Sequence, residues 1–202
     1  MPTALTETEK KFIQQKIQEK YAKVAEGPAA CFRYPTGMAG LRQLGYPVSW
    51  WQDLPPALLE SFCGVGNPFS LGPIDPGEAV LDVGCGMGAD ACLAAGLVGP
   101  RGRVVGLDAS LPMVARAREL TASLSLAHLG FLVASAEKLP FPPRSFNVVM
   151  SNGVLNLVLD KLKALREMRR VLVPGGRLYL ADMVLVEPLP PERQSRIENW
   201  YQ

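Results

Sequence analysis

One histidine, His128, stands in a chain of 202 residues, and the four cysteines, Cys31, Cys63, Cys85 and Cys92, form no CxxC pair. Zinc held by the usual cysteine and histidine ligands is thereby disfavoured, and no metal is expected. The cysteine spacing by itself leaves a disulfide open, but thiols stay reduced in a cytosolic chain. Also lacking is any apolar run near the roughly 18 residues of a membrane span, and the charged start Thr6-Glu7-Thr8-Glu9-Lys10-Lys11 contains no apolar signal region. The expectation is a cytoplasmic protein without a membrane partner. Neither sign of charge dominates: 21 Lys and Arg face 19 Asp and Glu, a net charge of +2. Without a basic stripe to neutralise phosphates, nucleic acid is not an expected partner. What is present, 48% apolar and 20% charged residues, suits one folded domain, or one with a short appendage, and excludes disordered, coiled-coil and collagen-like classes.

Residues 5–26 read as an amphipathic helix, with Ile13, Ile17, Tyr21 and Val24 recurring on one face. From Gly27 to about Asn67 the chain is punctuated by proline and glycine, carries Trp50 and Trp51 side by side, and holds a short helical pattern at 57–62. We read residues 1–72 as a helical cap or lid. The pattern then changes to short apolar runs alternating with amphipathic stretches, the signature of βα units and a parallel sheet covered by helices on both faces. Strands are expected at 79–83, 103–107, 129–133, 146–150 and 177–183, and helices at 89–97, 111–124 and 161–172. Ser110 and Pro112 supply a start signal for the second of these helices. The fifth strand has no later strand to cover it, since the chain ends at Trp200-Tyr201-Gln202 in a polar helical segment. Either the lid caps that edge, or the sequence is a fragment, or another chain packs there.

The run Val80-Leu81-Asp82-Val83-Gly84-Cys85-Gly86-Met87-Gly88-Ala89-Asp90 is an apolar strand that ends in Gly-x-Gly-x-Gly and opens into a helix. Glycines there let the backbone approach a ligand closely. Asp108 closes the next apolar strand, where a carboxylate can take both hydroxyls of a ribose. A dinucleotide fingerprint would read G-x-G-x-x-G. Here the glycine spacing differs and Asp82 stands just upstream, a charge that repels a pyrophosphate and favours the ammonium of an amino-acid moiety, as in S-adenosylmethionine.

Residues 79–187 resemble a class I S-adenosylmethionine-dependent methyltransferase. The resemblance rests on the glycine run and on Gly106-Leu107-Asp108, Ala136-Glu137-Lys138-Leu139-Pro140-Phe141, Phe146-Asn147-Val148-Val149-Met150-Ser151-Asn152 and Arg170-Val171-Leu172-Val173-Pro174-Gly175-Gly176. It implies a Rossmann-like, mainly parallel sheet with helices on both faces, residues 73–202 forming the cofactor-binding domain, a C-terminal shortening being one reading, and S-adenosylmethionine as cofactor. Phe62-Cys63-Gly64-Val65-Gly66-Asn67-Pro68-Phe69 and Ser151-Asn152-Gly153-Val154-Leu155-Asn156-Leu157 are, more narrowly, similar to arsenite methyltransferases.

By resemblance, Asp82, Gly84 and Gly86 belong to the methionine end of the cofactor, Asp108 to the ribose, and Ala136 and Glu137 to the adenine, with Cys85 and Ala109 also among the cofactor-binding residues. Met113 would pack near the nucleoside or simply belong to the core, and Ser151 completes the set. Ser135 stands where many relatives have an aspartate, and Asn147 replaces the usual aspartate after Phe146, a change expected to act on local structure. The two cysteine positions that hold trivalent arsenic in the arsenite group are Val65 and Gly153 here, leaving Cys63 as the thiol nearest the substrate side. Candidates for catalysis are Asn152, Asn156, Cys63 and Tyr34, with Asp182 and Thr36 on the same face. His128 falls on the side of the sheet away from ligands. Arg166, Arg169 and Arg170 read as a solvated helix face. The expected activity is methyl transfer to a small molecule, a soft thiol or metalloid among the candidates, by a monomer or homodimer. The rival is a non-catalytic cofactor-binding partner subunit of the same fold.

Overall fold

A computed structural model describes residues 5–28 and 31–184. The first helix, α1 (Glu7–Val24), begins at a capping box in which Thr6 and Glu9 satisfy each other's backbone N–H groups. It turns Ile13 and Val24 fully inward, as the spacing predicts. Three short helices follow, α2 (Gly37–Gln43), α3 (Val48–Trp51) and α4 (Pro56–Glu60), then a 3-10 turn at Pro68–Leu71. Proline keeps these helices short, because Pro47 and Pro55 each fix the residue before a first turn. Of the tryptophan pair, Trp51 is buried and donates its ring N–H to the Tyr46 carbonyl at 3.3 Å, while Trp50 stays partly exposed against Phe69.

The remainder alternates strand and helix: β1 (Ala79–Val83), α5 (Ala89–Val98), β2 (Arg103–Asp108), α6 (Leu111–Thr121), β3 (Leu129–Val133), β4 (Phe146–Asn152), α7 (Lys161–Val171) and β5 (Leu172–Ala181). The sheet is parallel with order β3-β2-β1-β4-β5. The chain winds outward from β1 to β3 and then crosses back to β4, so a crevice opens at the carboxyl ends of β1 and β4. Alternation along β1 feeds two cores. Val80, with Val104, Val148 and Met150, packs under α5, α6 and the N-terminal helices. Leu81 and Val83, with Leu107, Phe146 and Val149, pack against Ala164, Met168 and Val171 of α7. Helix α5 is buried on nearly every side, which explains its continuous apolar sequence.

Three expectations are corrected. The fifth strand begins at Leu172 rather than 177, because Leu172 pairs with Phe146 before the Pro174-Gly175-Gly176 segment bulges out and pairing resumes at Arg177 with Val148. The second βα helix stops at Thr121, three residues short of 124. The arginines of α7 are not uniformly solvated: Arg170 is half-buried, paired with Glu167 and donating to the carbonyls of Leu139 and Phe141. Its fork fits these acceptors, so the side chain anchors the loop before β4. Asn147 does act locally, accepting the Ala79 N–H at 2.9 Å and starting β1. His128 bonds the Ala95 carbonyl at 3.0 Å, at the end of the sheet opposite the crevice. Strand β5 is outermost, and the 3-10 turn lies beside it, with Tyr179 donating to the Pro73 carbonyl at 2.9 Å and Arg177 paired with Glu78 at 2.5 Å. Trp200-Tyr201-Gln202 lie outside the described residues. No described helix is long and apolar enough to cross a membrane.

Candidate functional site

Strand β1 delivers Asp82 to the crevice and is followed by Gly84, whose φ of +76° and that of Gly86, +52°, bend the chain away from the strand axis. The turn is pinned by Gly84 and Cys85 N–H groups donating to the Leu107 carbonyl at 2.6 and 2.9 Å. A side chain on Gly86 would meet nothing within 4 Å, so the backbone here faces open space of the kind a ligand fills. A side chain on Gly84 would instead collide with Val154 from the loop after β4. We expect Gly84→Ala to lower stability by about 1–3 kcal/mol, since the left-handed backbone alone costs about 1–2 kcal/mol per non-glycine residue. Thermal unfolding measures this, and an unchanged midpoint would mean that the turn relaxes without cost.

Three carboxylates converge on this loop. Asp108 accepts the Gly86 N–H at 3.0 Å through one oxygen and the Ser110 N–H at 2.8 Å through the other. Asp82 is 2% exposed, and its Oδ2 has no hydrogen-bond partner. Asp90, in the first turn of α5, accepts from the Tyr46 hydroxyl at 2.9 Å and the Asn152 amide at 2.9 Å. Among the described residues no lysine or arginine pairs with any of the three. Burial therefore pushes all three upward. Asp82 lies well above the usual carboxylate range, through desolvation and then the charges of Asp90 and Asp108. Desolvation raises Asp90 to about 6 against the opposing hydrogen bonds of Asn152 and Tyr46. Asp108 is raised by burial and held back by the N–H groups of Ser110, Gly86 and Ala109. A buried acid cluster with an unsatisfied oxygen is electrostatically prepared for a cation.

Asp82, Gly84, Cys85, Gly86, Cys63 and Asn152 line one cavity of about 50 Å³, together with Asp90. A wider open cleft of about 570 Å³ lies beside the start of β3, lined by residues such as Arg118, Leu124 and Leu129 and remote from the acids. The acids and the glycine turn border the smaller space.

The other expected residues divide. Ser151 donates to the Val83 carbonyl at 2.8 Å, tying β4 to β1 beside the loop. Met113 is fully buried in the core beneath α5. Ala136 packs in the opposite core, and Glu137 holds the Asp160 N–H at 3.3 Å, while Ser135 accepts the Glu137 N–H at 3.1 Å. Tyr34 donates to the Cys63 carbonyl at 3.0 Å, and burial pushes its phenol upward. The Cys63 thiol is pushed up to about 12 by burial, then by the charges of Asp108 and Asp90, so it stays protonated at neutral pH. Asn156 binds Asp182 through its backbone N–H at 3.1 Å, and its Oδ1 is buried without a partner. Val65 and Gly153 face each other: a side-chain carbon on Gly153 would lie 3.3 Å from Val65.

Sequence reasoning gave no role to Asp90 or Tyr46, and placed Tyr21 only on the packing face of the first helix. A signal existed for Asp90, the one charged residue in an otherwise apolar helix, which must be paired when buried. Tyr46 carried none, because its placement depends on how the N-terminal helices cross the sheet. Burial raises the Tyr21 phenol, helped by Cys63 and Tyr34 and then by the charges of Asp108 and Asp182.

The family described as methyltransferase domain matches residues 74–202. The arsenite methyltransferase of Halobacterium salinarum is 32% identical over 206 residues, covering 95% of this chain and 52% of that protein. The ubiquinone/menaquinone biosynthesis C-methyltransferase of Pasteurella multocida is 38% identical over 128 residues, 62% of this chain and 46% of that protein. Among solved structures, an arsenic (III) S-adenosylmethionine methyltransferase from Chlamydomonas reinhardtii superimposes with a TM-score of 0.64 at 32% identity, over 79% of this chain and 53% of that one. The chain spans about half the length of the curated relatives it matches.

Proposed function

Since this chain belongs to the methyltransferase domain family, we propose that it binds S-adenosylmethionine and transfers its methyl group to a small molecule. The sheet is the Rossmann-like sheet of class I methyltransferases. One observation carries the cofactor reading: the unpartnered Oδ2 of Asp82, buried beside the open backbone of Gly86 and close to two further carboxylates. An ammonium is the group that such an oxygen lacks. Asp82 would hold the ammonium, Gly86 would allow close approach, and Asp108, whose oxygens each retain a lone pair, would take the ribose hydroxyls. When bound, the cofactor supplies a sulfonium-activated methyl group for in-line displacement.

The residues around the crevice bear on the acceptor. Methyl transfer to a neutral hydroxyl or amine generally needs a base. Here the Tyr34 phenol and the Cys63 thiol are both pushed upward, Asp90 is committed to Tyr46 and Asn152, and His128 lies at the far end of the sheet. This supports an acceptor that brings its own lone pair, a thiolate or a soft metalloid centre, with the chain aligning reactants and excluding water. Val65 and Gly153 leave the crevice without a facing pair of thiolates, so such an acceptor would be positioned by shape, with Asn152, Val154 and Cys63 nearby.

Calorimetric titration with S-adenosylmethionine, S-adenosylhomocysteine and NAD in parallel tests the reading. Micromolar binding of the first two and none of the third is expected. Formation of S-adenosylhomocysteine with low-molecular-weight thiols or trivalent arsenic would then identify the acceptor class. Binding without product from any acceptor would turn the assignment toward a cofactor-binding partner subunit.

A further inference from the structure

Tyr46, Asp90 and Asn152 come from three separate elements and meet on the roof side of the cofactor cavity. Tyr46 lies between α2 and α3, Asp90 on α5, and Asn152 at the last position of β4. Asn152 grips the loop 63–67 at three points: its Oδ1 accepts the N–H groups of Val65 and Gly66 at 2.9 and 3.1 Å, and its Nδ2 donates to the Gly66 carbonyl at 2.8 Å. The second Nδ2 hydrogen goes to Asp90 Oδ2 at 2.9 Å, and the single Tyr46 hydrogen goes to Asp90 Oδ1 at 2.9 Å. With Asp90 ionised, every hydrogen in the cluster is used and each carboxylate oxygen receives one. A neutral pattern also closes: a protonated Asp90 donates to Tyr46, which then turns to the Gly66 carbonyl at 3.0 Å. The two patterns differ in strength, since bonds to a carboxylate are roughly twice as strong as neutral ones.

The same cavity is lined by Asp82, Asp90 and Asn152 together with Cys63 and Gly64 of the roof loop. A cation placed at the unpaired Asp82 oxygen would therefore stabilise negative charge on Asp90, and that charge strengthens the bonds that hold the roof. We propose that Asp90 is a positioning residue that couples an occupied cofactor pocket to closure of the loop 63–67 through Tyr46 and Asn152. The inference rests on the cofactor reading given above. Coupling of this kind is reciprocal, so a well-held roof also tightens the cofactor. The charged and titratable groups facing Asp90 are Asp82 from β1, Tyr46 from the lid and Cys63 from the roof loop, with Asp108 beyond Asp82. The thiol and the phenol are protonated at and below neutral pH, which leaves the carboxylates to respond between pH 5 and 7.5.

Hydrogen exchange of the peptide covering 61–68, corrected for intrinsic rates, tests the coupling with S-adenosylhomocysteine as the probe. Saturating probe should slow exchange of Val65 and Gly66 about tenfold at pH 5, where Asp90 of the unliganded chain is largely neutral, with a smaller gain at pH 7.5, where it is already ionised. Asp90→Asn, which keeps shape and hydrogen bonding but not charge, should bind the probe yet show no gain at either pH. Tyr46→Phe should show a reduced gain and serves as the second variant if Asp90→Asn does not fold. A gain in Asp90→Asn equal to that of the wild type, or no gain in the wild type at saturation, overturns the coupling. Calorimetry on the same samples separates the two readings, because absence of probe binding to the wild type overturns the cofactor assignment itself.

Discussion

Asp108→Ala is expected to weaken S-adenosylmethionine binding by about 100-fold or more while the protein stays folded. The size follows from two hydrogen bonds to a charged acceptor, each worth roughly 1.5–3 kcal/mol. Stability need not fall in parallel. Asp108 is partly buried and raised by desolvation, so removing it relieves a partly desolvated charge even as the Gly86 and Ser110 N–H groups lose their acceptor. Asp108→Asn should lie between alanine and wild type, because one amide oxygen can still accept. Titration calorimetry beside thermal unfolding checks both variants. A folded Asp108→Ala protein with wild-type affinity would remove this residue from the ribose site.

The second large effect concerns pH. Asp82 and Asp90 are held above the usual carboxylate range, first by burial and, for Asp82, next by the neighbouring carboxylates. A carboxylate raised in the folded state stabilises that state below its unfolded value, near 4, and this contribution is lost as pH rises through the folded value. For Asp90 that window runs from about 4 to about 6, and the loss is on the order of 3 kcal/mol. Without ligand, the wild type should therefore lose stability relative to Asp90→Asn across this window, as read by paired denaturant titrations. A bound ammonium favours the ionised acids, so affinity for S-adenosylhomocysteine should move the opposite way, rising about tenfold between pH 5 and 7. Stability differences independent of pH would show that Asp90 is already ionised, or never ionises, in the unliganded chain.

Both predictions concern residues of unequal visibility. Asp82 and Asp108 were legible because each ends an apolar strand of a βα unit, and the order strand, glycine turn, helix, strand sets where their side chains emerge. Asn152 was legible as a position at the end of the fourth strand, but its role as the grip on the roof loop was not. Tyr34 was read as a catalytic candidate, but the fold uses its hydroxyl on the Cys63 carbonyl. The bulge at Pro174-Gly175-Gly176 hid the start of β5, because a bulged segment breaks the alternation by which strands are recognised.

The sequence by itself determined the parallel strands, their order along the chain and the glycine-rich turn after the first of them, since hydrophobic period, glycine placement and strand-end carboxylates are local properties. It also fixed Asp90 as a charge inside an apolar helix, without saying what would meet it. The tertiary structure decided the rest: the unpaired oxygen of Asp82, the meeting of Tyr46 and Asn152 with Asp90 across 44 and 62 residues, and the facing of Val65 and Gly153. Such contacts depend on how the helices ahead of β1 fold back over the strand ends. Many residues separate the partners, and no periodicity in either segment encodes the distance between them.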